Sequence, residues 1–205
     1  MKVTRICRRL FCIGASLLMM SSCHETVENK YAGFPAYFIY KYVNTVPPLN
    51  TALNSMGVFT TIRANRGQYL FTSEDGKTTA VNATALENYQ SFKMGIAGFI
   101  VGLPNIPELG SEAPQPVCYD LACPNCYNDL HIERSLQLKE GGYASCSSCQ
   151  RIYNLNDQGL IASGTEGSSL LRYRMSYSGN TIVINNPHRQ VRSATPPPPF
   201  SVLGA

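Results

Sequence analysis

Two cysteine pairs limit what this chain can become. It reads Cys123-Pro124-Asn125-Cys126, then nineteen residues, then Cys146-Ser147-Ser148-Cys149. A CxxC turn can aim two sulfurs at one point, and two such turns facing each other supply four thiolates. Four thiolates suit Zn²⁺ or an iron–sulfur centre, and the donor set alone does not separate them. Two disulfides without metal are the alternative that an exported chain keeps open. Cys123, Cys126, Cys146 and Cys149 are therefore the candidate metal ligands.

Export is read from the start of the chain. Residues 1–9 carry Lys2, Arg5, Arg8 and Arg9 and no acid, and residues 10–20 are apolar. That apolar run is about half of what a permanent membrane helix needs. Residues 1–22 thus read as a signal peptide. Its end, Leu18-Met19-Met20-Ser21-Ser22-Cys23, resembles the lipobox of bacterial lipoproteins, with Met20 a less usual residue at the outermost position. The resemblance implies cleavage before Cys23, lipidation of its sulfur and amine, and anchoring in a lipid bilayer. Several acyl chains on one residue anchor stably where one alone does not. The expected location is the bacterial cell envelope, periplasmic or at the outer surface. An ordinary cleaved signal, with Cys23 a spare thiol, is the plainer alternative. Arg8-Arg9-Leu10-Phe11 resembles the RRxF core of twin-arginine signals, a route for folded, cofactor-loaded proteins.

Cleavage also changes the electrostatics. The whole chain has a formal charge of +4, and all four basic residues of the leader leave with it. What remains carries 13 basic and 13 acidic side chains. A neutral domain gives no reason to expect a nucleic-acid partner.

Residues 23–36 read as a polar, lipidated tether and residues 37–186 as one β domain, with its cluster-binding part at about 117–160. Tyr37-Phe38-Ile39-Tyr40 is strand-like, and Pro47-Pro48 is expected to stop that segment. Short strands follow from Leu49 onward: Val58 to Arg63, Gln68 to Thr72, Thr78 to Val81, and the apolar Phe99-Ile100-Val101. Asn65-Arg66-Gly67 and Glu74-Asp75-Gly76 mark turns. The expected helix is short and lies at residues 84–92. Residues 104–116 hold four prolines and read as loop. Residues 170–177 alternate as one strand, Ser178-Gly179-Asn180 turns, and Thr181-Ile182-Val183-Ile184 closes the hairpin. Residues 187–205 include four consecutive prolines and read as an unstructured tail. Strands this closely spaced with little helix predict an all-β domain, one compact sandwich.

The order of features over about 85 residues, 101–185, resembles the Rieske domain family. Tyr119-Asp120-Leu121-Ala122-Cys123-Pro124 looks like the approach to its first cluster loop. Cys146-Ser147-Ser148-Cys149 occupies the second, and Tyr153 stands where that family has an aromatic. Gly159, Gly164 and Gly167 punctuate the return, and Leu171-x-Tyr173 with the strand from Thr181 matches the closing hairpin. The resemblance implies a Rieske-like β-sandwich with a small zinc-ribbon-like cluster-binding subdomain, and a [2Fe–2S] cluster. It also implies Cys123 and Cys146 on one iron, Cys126 and Cys149 on the other. Rieske clusters take one histidine from each loop, and here both are absent. Asn125 holds the first histidine position, Cys149 replaces the second, and Gln150-Arg151 replaces the usual glycine-serine. All-cysteine ligation pulls the potential toward roughly −400 mV. Single-electron transfer with an envelope redox partner follows from this reading. A structural zinc site held by the same four cysteines is the competing expectation.

The remaining candidates are weaker. Cys118 reads as a buried thiol on a strand, with a substitute-ligand role as the alternative. His131 reads as a surface histidine before a ligand, and His24 and His188 fall in the tether and tail. Ser145, Ser147 and Ser148 are candidate hydrogen-bond donors to cluster sulfurs. No nucleophile elbow, phosphate loop or paired-carboxylate motif is present, so enzymatic activity has no sequence support.

Overall fold

The computed structural model describes residues 30–84 and 92–187. The leader, Cys23 with most of the tether, the core of the helix expected at 84–92, and the proline-rich tail lie outside the described residues. Among the described residues the strands are β1 (Ala36–Tyr40), β2 (Val58–Asn65), β3 (Gln68–Ser73), β4 (Thr78–Asn82), β5 (Lys93–Met94), β6 (Phe99–Leu103) and β7 (Val117–Asp120). They continue as β8 (Gln137–Lys139), β9 (Tyr143–Ser145), β10 (Ile152–Asn154), β11 (Leu160–Ser163), β12 (Arg172–Tyr173), β13 (Met175–Ser178) and β14 (Thr181–Asn186). Two short helices interrupt them, α1 (Pro47–Asn54) and α2 (Pro124–Leu130). The β-rich expectation holds.

The strands form three antiparallel sheets. A six-stranded central sheet runs β12-β7-β6-β2-β3-β4, a terminal sheet runs β13-β14-β1-β5, and a smaller sheet runs β11-β10-β9-β8. Side-chain alternation sends successive residues of a strand to opposite faces. Phe99 and Val101 of β6 and Cys118 of β7 join Phe38, Tyr40, Ile182 and Ile184 of the terminal sheet in one core. Ile100, Val117 and Tyr119 point the other way and meet Leu136, Ala144, Tyr153 and Leu155 in a second core. A strand buried on both faces reads as an unbroken apolar run, which accounts for Phe99-Ile100-Val101. Each such side chain contributes about 1.5–3 kcal/mol by burial. The single expected sandwich is thus replaced by a central sheet with a layer on either face.

Turn chemistry sets the hairpins. Arg66 and Gly67 both have positive φ, 45° and 81°, between paired Asn65 and Gln68. Two consecutive positive φ values are the requirement of a tight two-residue hairpin loop. Gly179 and Asn180 repeat it between Ser178 and Thr181.

Three expectations change. Pro47 and Pro48 do not merely stop β1; they occupy the first helical positions of α1. Proline fits there because its missing N–H has no intrahelical acceptor and its φ is already helical. Leu49, Ala52 and Leu53 form the buried stripe of α1, so the region after Leu49 opens with helix before β2. Residues 170–177 are not one strand either. β12 adds to the central sheet and β13 to the terminal one, because the chain crosses between layers at Arg174. Finally, the first CxxC lies at the start of a helix, described next.

Candidate metal centre

The two cysteine pairs are built differently. Cys123 is the extended residue before α2, with φ −69° and ψ 115°, and Pro124 takes the first helical position. Cys126 then sits in the first turn, and Tyr127 N–H donates to Cys123 O at 3.1 Å. Cys146 and Cys149 lie in the β9–β10 connection. There Gln150 N–H donates to Cys146 O at 2.9 Å and Cys146 N–H donates to Arg151 O at 3.0 Å. Gln150 takes the left-handed conformation, φ 61°, that closes this knuckle.

Asp120 fastens the approach to Cys123. This fully buried carboxylate accepts from Ala122 N (2.7 Å), Ile96 N (2.7 Å), Ala97 N (3.3 Å) and the Tyr173 hydroxyl (2.6 Å). Burial raises its pKa, and these donors oppose the rise. Cys123 N–H donates to Arg134 O at 2.7 Å, next to the bridge between Ala122 and Ser135, so the loop is tied to the segment that follows α2. Tyr119 of β7 reaches across the second core and donates to Leu155 O at 3.2 Å.

All four sulfurs lie within 4.8 Å of one another. Cys123 Sγ is 3.6 Å from Cys149 Sγ, and Cys126 Sγ is 3.7 Å from Cys146 Sγ. Both of these contacts join one pair to the other. Cys123, Cys126 and Cys146 are buried, while Cys149 is half-buried. Burial raises the Cys123 pKa, against the Tyr153 hydroxyl and the Cys126 N–H, which favour the thiolate. Cys126 is pushed up to about 12 by burial and by its crowd of neighbouring sulfurs. Burial also works against the Cys149 thiolate, but the Arg151 N–H and guanidinium and the adjacent cysteines bring it down to about 7.

The surroundings of the sulfurs come from residues the sequence pointed to only loosely. The Tyr153 hydroxyl stands 3.2 Å from Cys123 Sγ. Asn125 Nδ2 donates to that hydroxyl at 2.9 Å and to Ser168 O at 2.9 Å, and Asn125 Oδ1 accepts from Ser168 N at 2.8 Å. Arg151 donates to Thr165 O at 2.9 Å and to Glu166 O at 3.0 Å. One residue from each cysteine loop thus holds the 164–168 segment as a strap. Asn125 stands at the position of a missing histidine, and that register was its sequence signal. The serines play a smaller part: Ser147 O accepts from Gln150 Nε2 at 2.6 Å.

The other candidates separate from the cluster. Cys118 is fully buried on the opposite face of β7, in the core shared with the terminal sheet, and burial drives its thiol pKa well up. His131 is exposed at the end of α2 in a left-handed conformation, φ 52°. Among the described residues no helix is long and apolar enough to cross a membrane.

Four sulfurs and no carboxylate form a soft donor set. A tetrahedral Zn²⁺ with bonds of about 2.3 Å needs sulfurs about 3.8 Å apart, and the cluster meets that need with little movement. A two-iron centre sets its two thiolate pairs at opposite ends of an iron–sulfide rhomb, about 5.5 Å or more apart, wider than this cluster. The residues therefore fit a metal. Comparison with protein-family models, with curated proteins and with solved structures finds no match to this chain.

Proposed function

We propose that this chain is an envelope lipoprotein whose β domain binds one Zn²⁺ through Cys123, Cys126, Cys146 and Cys149. The ion would tie α2 to the β9–β10 knuckle and pin the small sheet on the central one. The role is structural, in a domain that serves binding rather than electron transfer. The observation that carries this reading is the spacing: four sulfurs within 4.8 Å, two cross-pair contacts at 3.6 and 3.7 Å. Bound metal supplies a positive centre that replaces the thiol protons. The protein's own part is to hold the sulfurs convergent, with Tyr153 facing Cys123 and the 164–168 strap beside it.

A second reading has its own support. The β-rich fold and the four convergent cysteines leave room for what the Rieske resemblance implies, a [2Fe–2S] electron-transfer centre. To hold one, the cross-pair sulfurs would have to part. Metal and sulfide analysis of protein purified without air decides between them. One zinc per chain and a colourless sample is the expected result. Two irons, two sulfides and visible absorption would overturn it.

A further inference from the structure

Cys149 is placed unlike the other three ligands. It is half-buried between exposed Ser148 and exposed Gln150, whereas Cys123, Cys126 and Cys146 are buried. Its sulfur stands 3.6 Å from that of Cys123 in the other loop, and Cys126 meets Cys146 across the loops in the same way at 3.7 Å. We propose that the centre is a peroxide-sensitive release site, in which Cys149 is oxidised first and closes a disulfide with Cys123. This rests on the one-metal reading above.

The steps balance with hydrogen peroxide as the named oxidant. The Cys149 sulfur attacks one peroxide oxygen; the O–O bond breaks, and the departing hydroxide takes a proton to become water. Cys149 is now a sulfenic acid. The Cys123 sulfur attacks the Cys149 sulfur; the S–S bond forms, the S–O bond breaks, and the second hydroxide is protonated to water. Two sulfurs have given up two electrons in total, and one peroxide has become two waters. The ion, left with two thiolates, departs as Zn²⁺. A second peroxide joins Cys126 to Cys146 by the same steps.

The crossed pairing has a structural consequence. Each link joins the α2 loop to the β9–β10 knuckle, so the disulfides take over the fastening that the ion provided. Links within a pair would leave the two loops untied. The oxidised domain is expected to stay folded, and a thiol reductant returns it to a form that rebinds zinc.

The test uses the full chain, reduced and loaded with zinc, with metal content measured at the outset. Hydrogen peroxide is added, zinc release is followed with a chromophoric chelator, and disulfides are assigned by fragmentation of non-reduced peptides. The expected result is zinc release with the Cys123–Cys149 link appearing before Cys126–Cys146. Zinc retained through the treatment, links confined to Cys123–Cys126 or Cys146–Cys149, or sulfinic acids without disulfide would each overturn the proposal. Absence of zinc at the outset overturns the one-metal reading as well. Zinc present with the wrong links overturns the release site alone.

Discussion

Asn125 Nδ2 donates a 2.9 Å hydrogen bond to the hydroxyl of Tyr153, and that hydroxyl faces Cys123 Sγ at 3.2 Å. A residue inside one cysteine pair thus orients a side chain that follows the other pair by four positions. The two loops are joined by neutral hydrogen bonds as well as by the sulfurs.

Tyr153→Phe tests that link. It leaves Asn125 Nδ2 with Ser168 O as its remaining partner and takes the hydroxyl from Cys123 Sγ. Stranding buried polar groups costs about 1–3 kcal/mol. The expected outcome is that loss in denaturant unfolding of the metal-loaded protein, with metal content unchanged because all four sulfurs remain.

Gly167→Ala approaches the same network from the strap. A Cβ there would stand 2.2 Å from Asn125 Oδ1, so Asn125 must turn and release its bonds to Ser168 and Tyr153. Forcing atoms into a filled site costs about 1–3 kcal/mol. Thermal melts should show it, and faster metal loss to a chelator should accompany it. Gly33→Ala, with nothing within 4 Å of its added carbon, is the control and should change neither.

Cys149→Ser and Cys118→Ala should behave oppositely. The first removes one of four convergent sulfurs and is expected to abolish stoichiometric metal binding. The second removes a thiol from the core on the far face of β7. It should cost about 1 kcal/mol through the small void it leaves and keep full metal content. Elemental analysis beside a denaturant curve reads both.

Asp120→Asn should destabilise although it deletes a buried charge. Three backbone N–H groups and the Tyr173 hydroxyl converge on the carboxylate. An amide nitrogen in place of one oxygen would meet donors, leaving about 1–3 kcal/mol of unmade hydrogen bonding. Hydrogen exchange should rise first at Ala122 and Ile96, whose N–H groups donate to Asp120.

Acid should release the metal, and the slope carries information. Binding must displace the protons held by the free thiols. At neutral pH Cys126, pushed up to about 12, is protonated in the metal-free protein, so affinity rises with pH there. Below about 7 Cys149 also takes up a proton. One more proton is then displaced on binding, and each displaced proton changes affinity about tenfold per pH unit. Competition titrations across that range should show the dependence steepen on the acid side.

Much of the site was legible because its signals are local. CxxC spacing holds for any fold that the pairs enter, and Tyr153 was visible from its place after the second pair. Gly67 and Gly179-Asn180 announced their hairpins through the positive φ that tight loops demand. Pro47-Pro48 was misread because proline both ends strands and opens helices, and only the buried stripe of Leu49, Ala52 and Leu53 decides which. The break at Arg174 was invisible because the alternation of residues 170–177 fits one sheet as well as two.

By itself, then, the sequence determined a β-rich chain with two cysteine pairs, since side-chain period and the short reach of a CxxC turn are properties of neighbouring residues. The tertiary structure decided where the pairs meet. The cross-pair contacts of Cys123 with Cys149 and Cys126 with Cys146 depend on how the small sheet packs on Ile100, Val117 and Tyr119. No local spacing sets a distance between loops that are brought together only by burying a shared core.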